Sequence, residues 1–185
     1  MAYLSDEQLA GMGFAALGTG VRISDRAAIY EPEKVSVGDY SRIDDFCIVS
    51  GNVSLGRNVH VAAFCNLAGG SPGITMQDFS GLAYGCQVFA QSDDYSGGSM
   101  TNPTVPKAYK HETFKAVMIG RHAIIGTNAI VFPGCDVAEG CAVGAGALIA
   151  KPTQPWGIYA GNPARRVKDR KRDLLELEKD YLSSS

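Results

Sequence analysis

The chain has 185 residues, of which 45% are hydrophobic and 19% charged, a balance typical of one folded domain and not of a disordered segment. Its formal net charge is -2, so a nucleic-acid partner is not indicated. No apolar run approaches the length of a membrane span, and the N-terminus "MAYLSDEQLAG" is unlike a secretory signal. The five cysteines lack metal-ligand spacing, which favours reduced, packed thiols in a cytoplasmic protein.

Residues 1–19 are the first predicted segment. Ser5 stands three residues before Gln8, which is the spacing of a capping box, and glycines follow at positions 11 and 13. We therefore expect a short helix that ends at Gly11 or Gly13.

A period of six residues dominates residues 20–162. Aliphatic residues recur at this step in three blocks, with a shift of three at "GGSPG"; they are Val37, Ile43, Val49, Leu55, Val61, Leu67, Met76, Leu82, Val88, Ile119, Ile125, Val131, Val137, Val143 and Ile149. Six is neither the period of an α-helix nor the alternation of a plain strand. The pattern predicts a solenoid with flat faces, whose coils stack their aliphatic residues into one core and turn corners at small residues.

The repeat is interrupted at residues 90–117, which begin with "AQSDDYSGG". This stretch is polar and contains Gly97, Gly98, Pro103 and Pro106. A connection of this length inside a compact repeat usually has a function. We expect a loop excursion that leaves the coil and carries part of a binding site.

The last segment, residues 163–185, is predicted to be a C-terminal helix. Val167, Leu174, Leu177 and Tyr181 fall near one helical face, which predicts a helix over roughly 168–182. The start of this segment is rich in arginine and lysine.

Two features together resemble the hexapeptide-repeat acyltransferases, and within them the sugar acetyltransferase branch. They are the phased hexads such as "IGTNAI" and "VGAGAL", and the closing motif "GNPARR". The resemblance covers about residues 20–167 and implies an all-β solenoid, a left-handed parallel β-helix, assembled as a homotrimer. It also implies acetyl transfer from acetyl-CoA, without a metal, to a sugar hydroxyl or to the amine of a nucleotide-linked amino sugar. Such a reaction would serve the synthesis of cell-surface polysaccharide or O-antigen.

The resemblance places the donor site along the small residues of the last coils. The pantetheine arm of coenzyme A would lie in a groove between neighbouring subunits, where small residues expose backbone groups. Basic residues after the coil would meet the phosphates. The expected residues are Gly126, Gly144, Ala145, Ala160, Gly161, Asn162, Arg165 and Arg166.

The catalytic base departs from the pattern of the family. Sugar O-acetyltransferases of this group carry a histidine shortly after the hexad that corresponds to Val88, whereas Asp93 stands there in this chain and Asp94 follows. A carboxylate is a weak base at neutral pH unless its surroundings raise its pKa. The departure therefore favours an amino-sugar acceptor, which depends less on a strong base than a hydroxyl does.

His60, in "VHVAAFC", is the predicted base. The segment is similar to one in the lipid A acyltransferases in which the first histidine is the base. His60 would face the loop of a neighbouring subunit, where a loop carboxylate, Asp93 or Asp94, would fix its tautomer. The alternative is an ordinary histidine on the outer face of the coil.

Tyr84, Tyr95 and His111 are expected to contact the acceptor, and His122 is expected to point outward from the coil. Two alternatives to a transferase remain open. A catalytically inactive, structural hexapeptide subunit is favoured by the aspartate at the histidine position. A metal-dependent hydrolase that resembles carbonic anhydrase would need His60, His111 and His122 to cluster.

Overall fold

The structure is a computed structural model that describes residues 2–184. The chain forms a left-handed parallel β-helix flanked by two α-helices, α1 (Asp6–Gly11) and α2 (Leu174–Ser183). Short 3-10 turns lie at Pro32–Lys34 and Lys107–Tyr109. The strands of the coil are β1 (Ala16–Leu17), β2 (Arg22–Ile23), β3 (Ala28–Tyr30), β4 (Val35–Val37), β5 (Arg42–Ile43), β6 (Ile48–Leu55), β7 (His60–Val61), β8 (Asn66–Met76), β9 (Gly81–Leu82), β10 (Gln87–Phe89), β13 (Val117–Ile119), β14 (Ile124–Ile125), β15 (Ile130–Val131), β16 (Ala142–Val143), β17 (Leu148–Ile149) and β18 (Gly157–Ala160). Outside the coil lie β11 (Gln91–Ser92), β12 (Thr113–Phe114) and β19 (Arg165–Asp169).

Parallel strands stack coil upon coil into the faces of a solenoid. One flat face of the solenoid is a sheet with the spatial order β2-β5-β7-β9-β14-β16-β18. Because β2 begins it, this face is called the second face below. The other large sheet of the coil has the order β1-β4-β6-β8-β10-β15-β17. In addition, β3 pairs with β6 and β13 pairs with β8. The long strands β6 and β8 cross a corner, so this sheet covers the two remaining faces.

The core consists of the aliphatic residues that repeat every six positions. All fifteen are buried, with at most 4% of the surface of each residue exposed. Their burial confirms the interpretation of the period, because each coil buries its apolar residues against the coils above and below it.

The N-terminal helix is confirmed. In α1 the Ser5 hydroxyl accepts a hydrogen bond from the backbone N–H of Gln8, and the Gln8 side chain accepts one from the backbone N–H of Ser5. These two bonds satisfy donors that the first turn of a helix leaves unpaired.

The prediction of a helix from residue 168 is wrong at its start. Arg165–Asp169 is the strand β19, antiparallel to β18, and α2 begins only at Leu174. The pairing satisfies backbone groups of the last coil, which would otherwise be an open sheet edge. Helix α2 then packs back on the coil, where the Tyr181 ring meets the Phe79 ring edge-on at 6.1 Å.

The loop excursion is present and partly ordered as a hairpin. The coil leaves β10 at Phe89 and resumes at Val117 in β13. Between them β11 and β12 pair antiparallel, and the backbone N–H of Lys115 donates to the carbonyl oxygen of Ala90 at 2.9 Å. The two ends of the excursion are thus tied together at its base.

The predicted packing of the thiols is confirmed, since all five cysteines are buried, and none of them is in a disulfide. Across residues 2–184, no helix has the length and apolarity to cross a membrane.

Candidate active site

The loop excursion walls a cavity of about 690 Å³ against the outer side of the coil. Its lining is mainly apolar and aromatic, with a few polar groups: Ala68, Phe89, Gln91, Ser92, Asp93, Tyr95, Pro103, Glu112, Phe132 and Pro133. An apolar cavity with a small number of convergent polar groups is the usual form of a small-molecule site. We call this space the loop cavity.

Asp93 presents an unpaired carboxylate to the loop cavity. It lines this cavity and also a neighbouring hollow of about 620 Å³ inside the excursion. Within residues 2–184 its carboxylate has no hydrogen-bond or ion-pair partner, and only its backbone oxygen accepts a bond, from the Ser92 hydroxyl. The other carboxylate in the lining, Glu112, forms an ion pair with Lys110 at 3.1 Å. Asp93 is therefore free to bind a ligand.

Asp94, in contrast, holds the loop together. Its carboxylate accepts hydrogen bonds from the backbone N–H of Ser96 at 2.8 Å and from the Ser99 hydroxyl at 3.0 Å. These bonds, from Ser96 first and then Ser99, lower the pKa of Asp94 to about 2. A carboxylate so stabilised in its charged form is a poor proton acceptor.

The three predicted acceptor contacts lie in different places. Tyr95 lines both cavities of the excursion. His111 is exposed on the loop, and its backbone N–H donates to the Ser99 hydroxyl at 3.0 Å. Tyr84 is exposed at a corner of the coil and does not line the loop cavity. Only Tyr95 thus stands beside Asp93.

His60 lies on the second face of the coil, away from the loop cavity. Its Nε2 is 2.9 Å from Oδ2 of Asp44 and 2.8 Å from Nη2 of Arg42. Within the chain the carboxylate beside His60 is that of Asp44, which belongs to the coil. The expected contact with a loop carboxylate of a neighbouring subunit stays a prediction. His60 lies in β7, whereas Asp93 and Asp94 lie in the excursion, so the three residues do not form one site in a single chain.

The predicted donor residues do form a column along one corner of the last coils. Gly126 stacks on Gly144 and Ala145 of the next coil, and Gly144 stacks in turn on Ala160. A Cβ at position 126 would lie 2.6 Å from the amide nitrogen of Ala145, so glycine is required there by coil stacking. A Cβ at position 144 would make ordinary contacts of 3.4 Å, so stacking does not explain that glycine.

Two of these glycines do not offer free backbone donors. The N–H of Gly126 donates to Val143 and that of Gly144 to Tyr159, each at 2.8 Å. The expectation of exposed N–H groups is therefore wrong at both positions, because parallel stacking of the coils uses them. Exposed surface in the column comes instead from Ala145, Ala160, Gly161 and Asn162.

The two predicted phosphate contacts follow directly in β19, and both are exposed. Arg165 donates to its neighbouring carbonyl, of Ala164, while Arg166 forms an ion pair with Asp169 at 2.6 Å. Their contact with coenzyme A stays a prediction.

The three histidines do not cluster. His60 is in β7, His111 is in the excursion, and His122 is at the corner before β14, two coils beyond β7 in the same sheet. His122 does point out of the coil, but α2 covers it: Nε2 lies 2.8 Å from Glu178 and the ring stacks on Phe79. In the part of the chain described, no group of three His, Cys, Asp or Glu side chains has metal-binding geometry.

Several lining residues were not predicted. Phe89 and Phe132 occupy outward positions next to core positions of the repeat, and the period alone does not distinguish them from other outward residues. Asp44 was not predicted either, because its burial shows only in the structure, where it is 2% exposed. That degree of burial is rare for a carboxylate.

Comparison with known proteins gives a full-length match. The chain is 35% identical to the dTDP-4-amino-4,6-dideoxy-D-glucose acyltransferase of Escherichia coli, over all of this chain and 97% of that protein. No protein-family model matches the chain.

Two solved structures of AntD, an N-acyltransferase from Bacillus cereus, are also similar. A variant of AntD in complex with dTDP-4-amino-4,6-dideoxyglucose and coenzyme A has a TM-score of 0.98 and 42% identity, over 100% of this chain and 99% of that chain. AntD with dTDP and 3-hydroxybutyryl-CoA has a TM-score of 0.97 and 42% identity, over 98% and 97%. The chain therefore belongs to the hexapeptide-repeat acyltransferases, with the dTDP-amino-sugar acyltransferases as its family, and it is an enzyme that transfers an acyl group from a coenzyme A thioester to a sugar.

Proposed function

We propose that this enzyme transfers an acetyl group from acetyl-CoA to the 4-amino group of a dTDP-linked 4-amino-4,6-dideoxyhexose. The observation that carries the proposal is the unpaired carboxylate of Asp93 in the loop cavity. The acceptor follows the substrate named for the Escherichia coli relative and the sugar bound to AntD. An amine suits this site better than a hydroxyl, because an aspartate is too weak a base to deprotonate a hydroxyl.

The proposed chemistry needs little from the protein beyond positioning and charge. The uncharged amine attacks the thioester carbonyl, a C–N bond forms and the C–S bond breaks. The proton lost by nitrogen balances the one gained by the departing thiolate. Asp93 accepts a hydrogen bond from the amine, which orients its lone pair and stabilises the positive charge that develops on nitrogen.

The acceptor is tested by measuring thiol release from acetyl-CoA with purified protein. We expect turnover with dTDP-4-amino-4,6-dideoxyglucose, and at most about one hundredth of that rate with the matched nucleotide sugar that carries a 4-hydroxyl group. Equal rates on both sugars would contradict N-transfer. Mass spectrometry of the product shows whether the nucleotide sugar carries the acyl group.

The acyl group is tested in the same assay. Acetyl-CoA and 3-hydroxybutyryl-CoA, the donor bound in one AntD structure, are compared at equal concentration. We expect a higher kcat/KM for acetyl-CoA. A preference for the longer donor would contradict the acetyl assignment and leave acyl transfer intact.

We further propose that three copies assemble through an aromatic corner of the coil. Phe46 and Phe64 stack there at 5.1 Å, and they are 48% and 60% exposed. Tyr84 follows at the corner of the next coil, and the column from Gly126 to Ala160 continues the same edge. An exposed aromatic patch of this kind is typical of a protein interface. A neighbour packed on it would complete the groove for the pantetheine arm.

The assembly is tested by light scattering during gel filtration. The wild-type enzyme is expected to have the mass of three chains and Phe64→Glu that of one, because a charge in an apolar interface is costly to desolvate. Leu177→Glu, on the exposed side of α2, is the matched control and is expected to stay trimeric. A trimeric Phe64→Glu variant would contradict this interface.

Finally, we propose a cytoplasmic location and a role in making cell-surface polysaccharide. The five free, buried thiols suit a reducing compartment. The expected consequence is that deleting the gene removes the acylated amino sugar from the polysaccharide, which compositional analysis would detect.

A further inference from the structure

A second pocket lies on the N-terminal coils, on the second face. It has a volume of about 400 Å³ and is lined by Gly20, Arg22, Tyr40, Arg42, Asn58 and His60, together with Val59. Arg22 pairs in register with Arg42, and Arg42 pairs in register with His60. Because strands in register are about 4.8 Å apart, two guanidinium groups and an imidazole leave the same face side by side.

A buried carboxylate fixes two of these three side chains. The Asp44 side chain is 3% exposed; its Oδ1 lies 3.0 Å from Nε of Arg42 and its Oδ2 lies 2.9 Å from Nε2 of His60. Arg42 and His60 remain 41% and 43% exposed. Burying a carboxylate against a cation contributes little net stability. Its main effect here is to hold a guanidinium group and an imidazole in fixed positions at the surface.

Arg22 supplies a positive charge that the protein does not neutralise. Among residues 2–184 it has no carboxylate partner, and its guanidinium group lies 6.0 Å from the centre of the Tyr3 ring. In the described part of the chain, Asp44 is the sole carboxylate in contact with the charged groups of the pocket. The pocket therefore carries a net positive charge.

An aromatic wall closes one side. The Tyr40 ring is packed so closely on Gly20 that a Cβ there would lie 2.8 Å from the ring, and Tyr40 is 49% exposed. The Arg57 guanidinium lies 5.1 Å from the Tyr40 ring centre, on the rim. Cations beside an exposed ring suit a ligand that joins phosphates to a flat or sugar-like group.

We propose that this pocket, held ready by Asp44, binds a diphosphate group. Guanidinium groups match the oxygen geometry of phosphates, and Arg22 with Arg42 offers two such groups. The identity of the ligand rests on the proposed function, in which both the nucleotide sugar and coenzyme A carry a diphosphate. The shared chemistry is the diphosphate, and the experiment separates its two sources.

The test is a calorimetric titration of wild type, Arg22→Ala and Arg42→Ala with inorganic pyrophosphate, dTDP and coenzyme A. Each variant is expected to weaken the binding of pyrophosphate, and of either dTDP or coenzyme A, by about tenfold, the loss of one charge-assisted contact. The compound, dTDP or coenzyme A, whose affinity falls in the variants is the one whose diphosphate binds in this pocket. Lys34→Ala removes one charge from the same coils and is expected to leave all affinities within about twofold.

The proposal is overturned if both variants bind dTDP and coenzyme A within about twofold of wild type, or if wild type binds none of the three probes. Arg42→Ala is able to disturb the Asp44 contacts, so circular dichroism and thermal unfolding accompany it. Arg22 has no such partner, and its variant keeps the test valid on its own. The titration does not depend on catalysis, so the two proposals can fail separately. If the variants lose binding but the enzyme acylates no amino sugar, the proposed function is contradicted and the diphosphate site is supported.

Discussion

The loop cavity and the second-face pocket each contain a carboxylate, but the two carboxylates are in opposite situations. Asp93 faces its cavity with no partner in residues 2–184, whereas Asp44 is buried and contacts both Arg42 and His60. The first is available to a ligand. The carboxylate of Asp44 instead holds the side chains of Arg42 and His60 in place.

The difference follows from where each carboxylate lies, one on the regular coil and the other at the point where the coil is interrupted. Asp44 sits on a rigid coil, where in-register strands fix its neighbours, so it orients groups for binding. Asp93 sits where the coil opens, beside a loop that Asp94 braces through Ser96 and Ser99. Adjacent aspartates thus have different environments, because one points into a cavity and the other into its own turn.

The largest expected effect comes from Asp93→Asn. It removes the charge that we place beside the amine, so kcat is expected to fall by about 10² to 10⁴. Asp94→Asn keeps an oxygen that accepts from Ser96 or Ser99, and its kcat is expected to fall less. The measurement is thiol release at saturating substrates. The reverse ranking would make Asp94 the residue that contacts the acceptor.

The next effect is on stability. The intact contact contributes little net stability, but Asp44→Asn leaves a neutral amide in a buried position whose neighbours, Arg42 and His60, are both arranged around a carboxylate. The free energy of unfolding is therefore expected to fall by about 1–3 kcal/mol. Asp93→Asn is the control, and because Asp93 has no partner it is expected to stay within about 0.5 kcal/mol of wild type. Urea unfolding measures both. Equal losses would remove the distinction between the two carboxylates.

A smaller effect is expected from His60→Asn. Because Nε2 of His60 is engaged by Asp44 and Arg42, we expect kcat to change by at most about threefold and KM for one substrate to rise. Steady-state kinetics separate the two parameters. A fall in kcat by orders of magnitude would instead make His60 the base, acting across a subunit boundary.

The smallest effect is a shift in acidity. Ser99→Ala removes a donor to Asp94, so the pKa of Asp94 is expected to rise from about 2 toward the ordinary value of 3.8. Because the folded pKa lies below the unfolded one, the stabilisation is present above pH 3.8 and lost as the pH falls toward 2. Carboxyl NMR chemical shifts followed against pH report the value, and an unchanged pKa would show that the bond to Ser99 does not matter.

Much of the fold could be predicted because a solenoid repeats one local rule. Each coil needs an apolar residue at the same phase, so positions such as Val61 and Ile125 were identified without tertiary information. The N-terminal helix was equally local, since Ser5 and Gln8 contact each other. The strand β19 was not, because its partner β18 is what makes Arg165–Asp169 extended.

The site was predicted in part. The position of Asp93 at the break in the repeat identified it as a candidate, and the structure places it in the loop cavity. Phe132 could not be predicted as a neighbour, since it comes from a later coil and meets the excursion only after the chain has folded back. The ion pair of Asp44 with Arg42 was likewise invisible, because outward and inward polar residues look alike in a hexad.

By itself, the sequence determined the period, the corners, the buried aliphatic residues and the place where the coil opens. All of these follow from contacts that recur at a constant spacing along the chain. Only the tertiary structure decided that the carboxylate of Asp93 is free, that the imidazole of His60 contacts Asp44, and that the N–H groups of Gly126 and Gly144 are hydrogen-bonded between coils. Those properties depend on neighbours from other coils, and their distances are set by stacking rather than by local sequence.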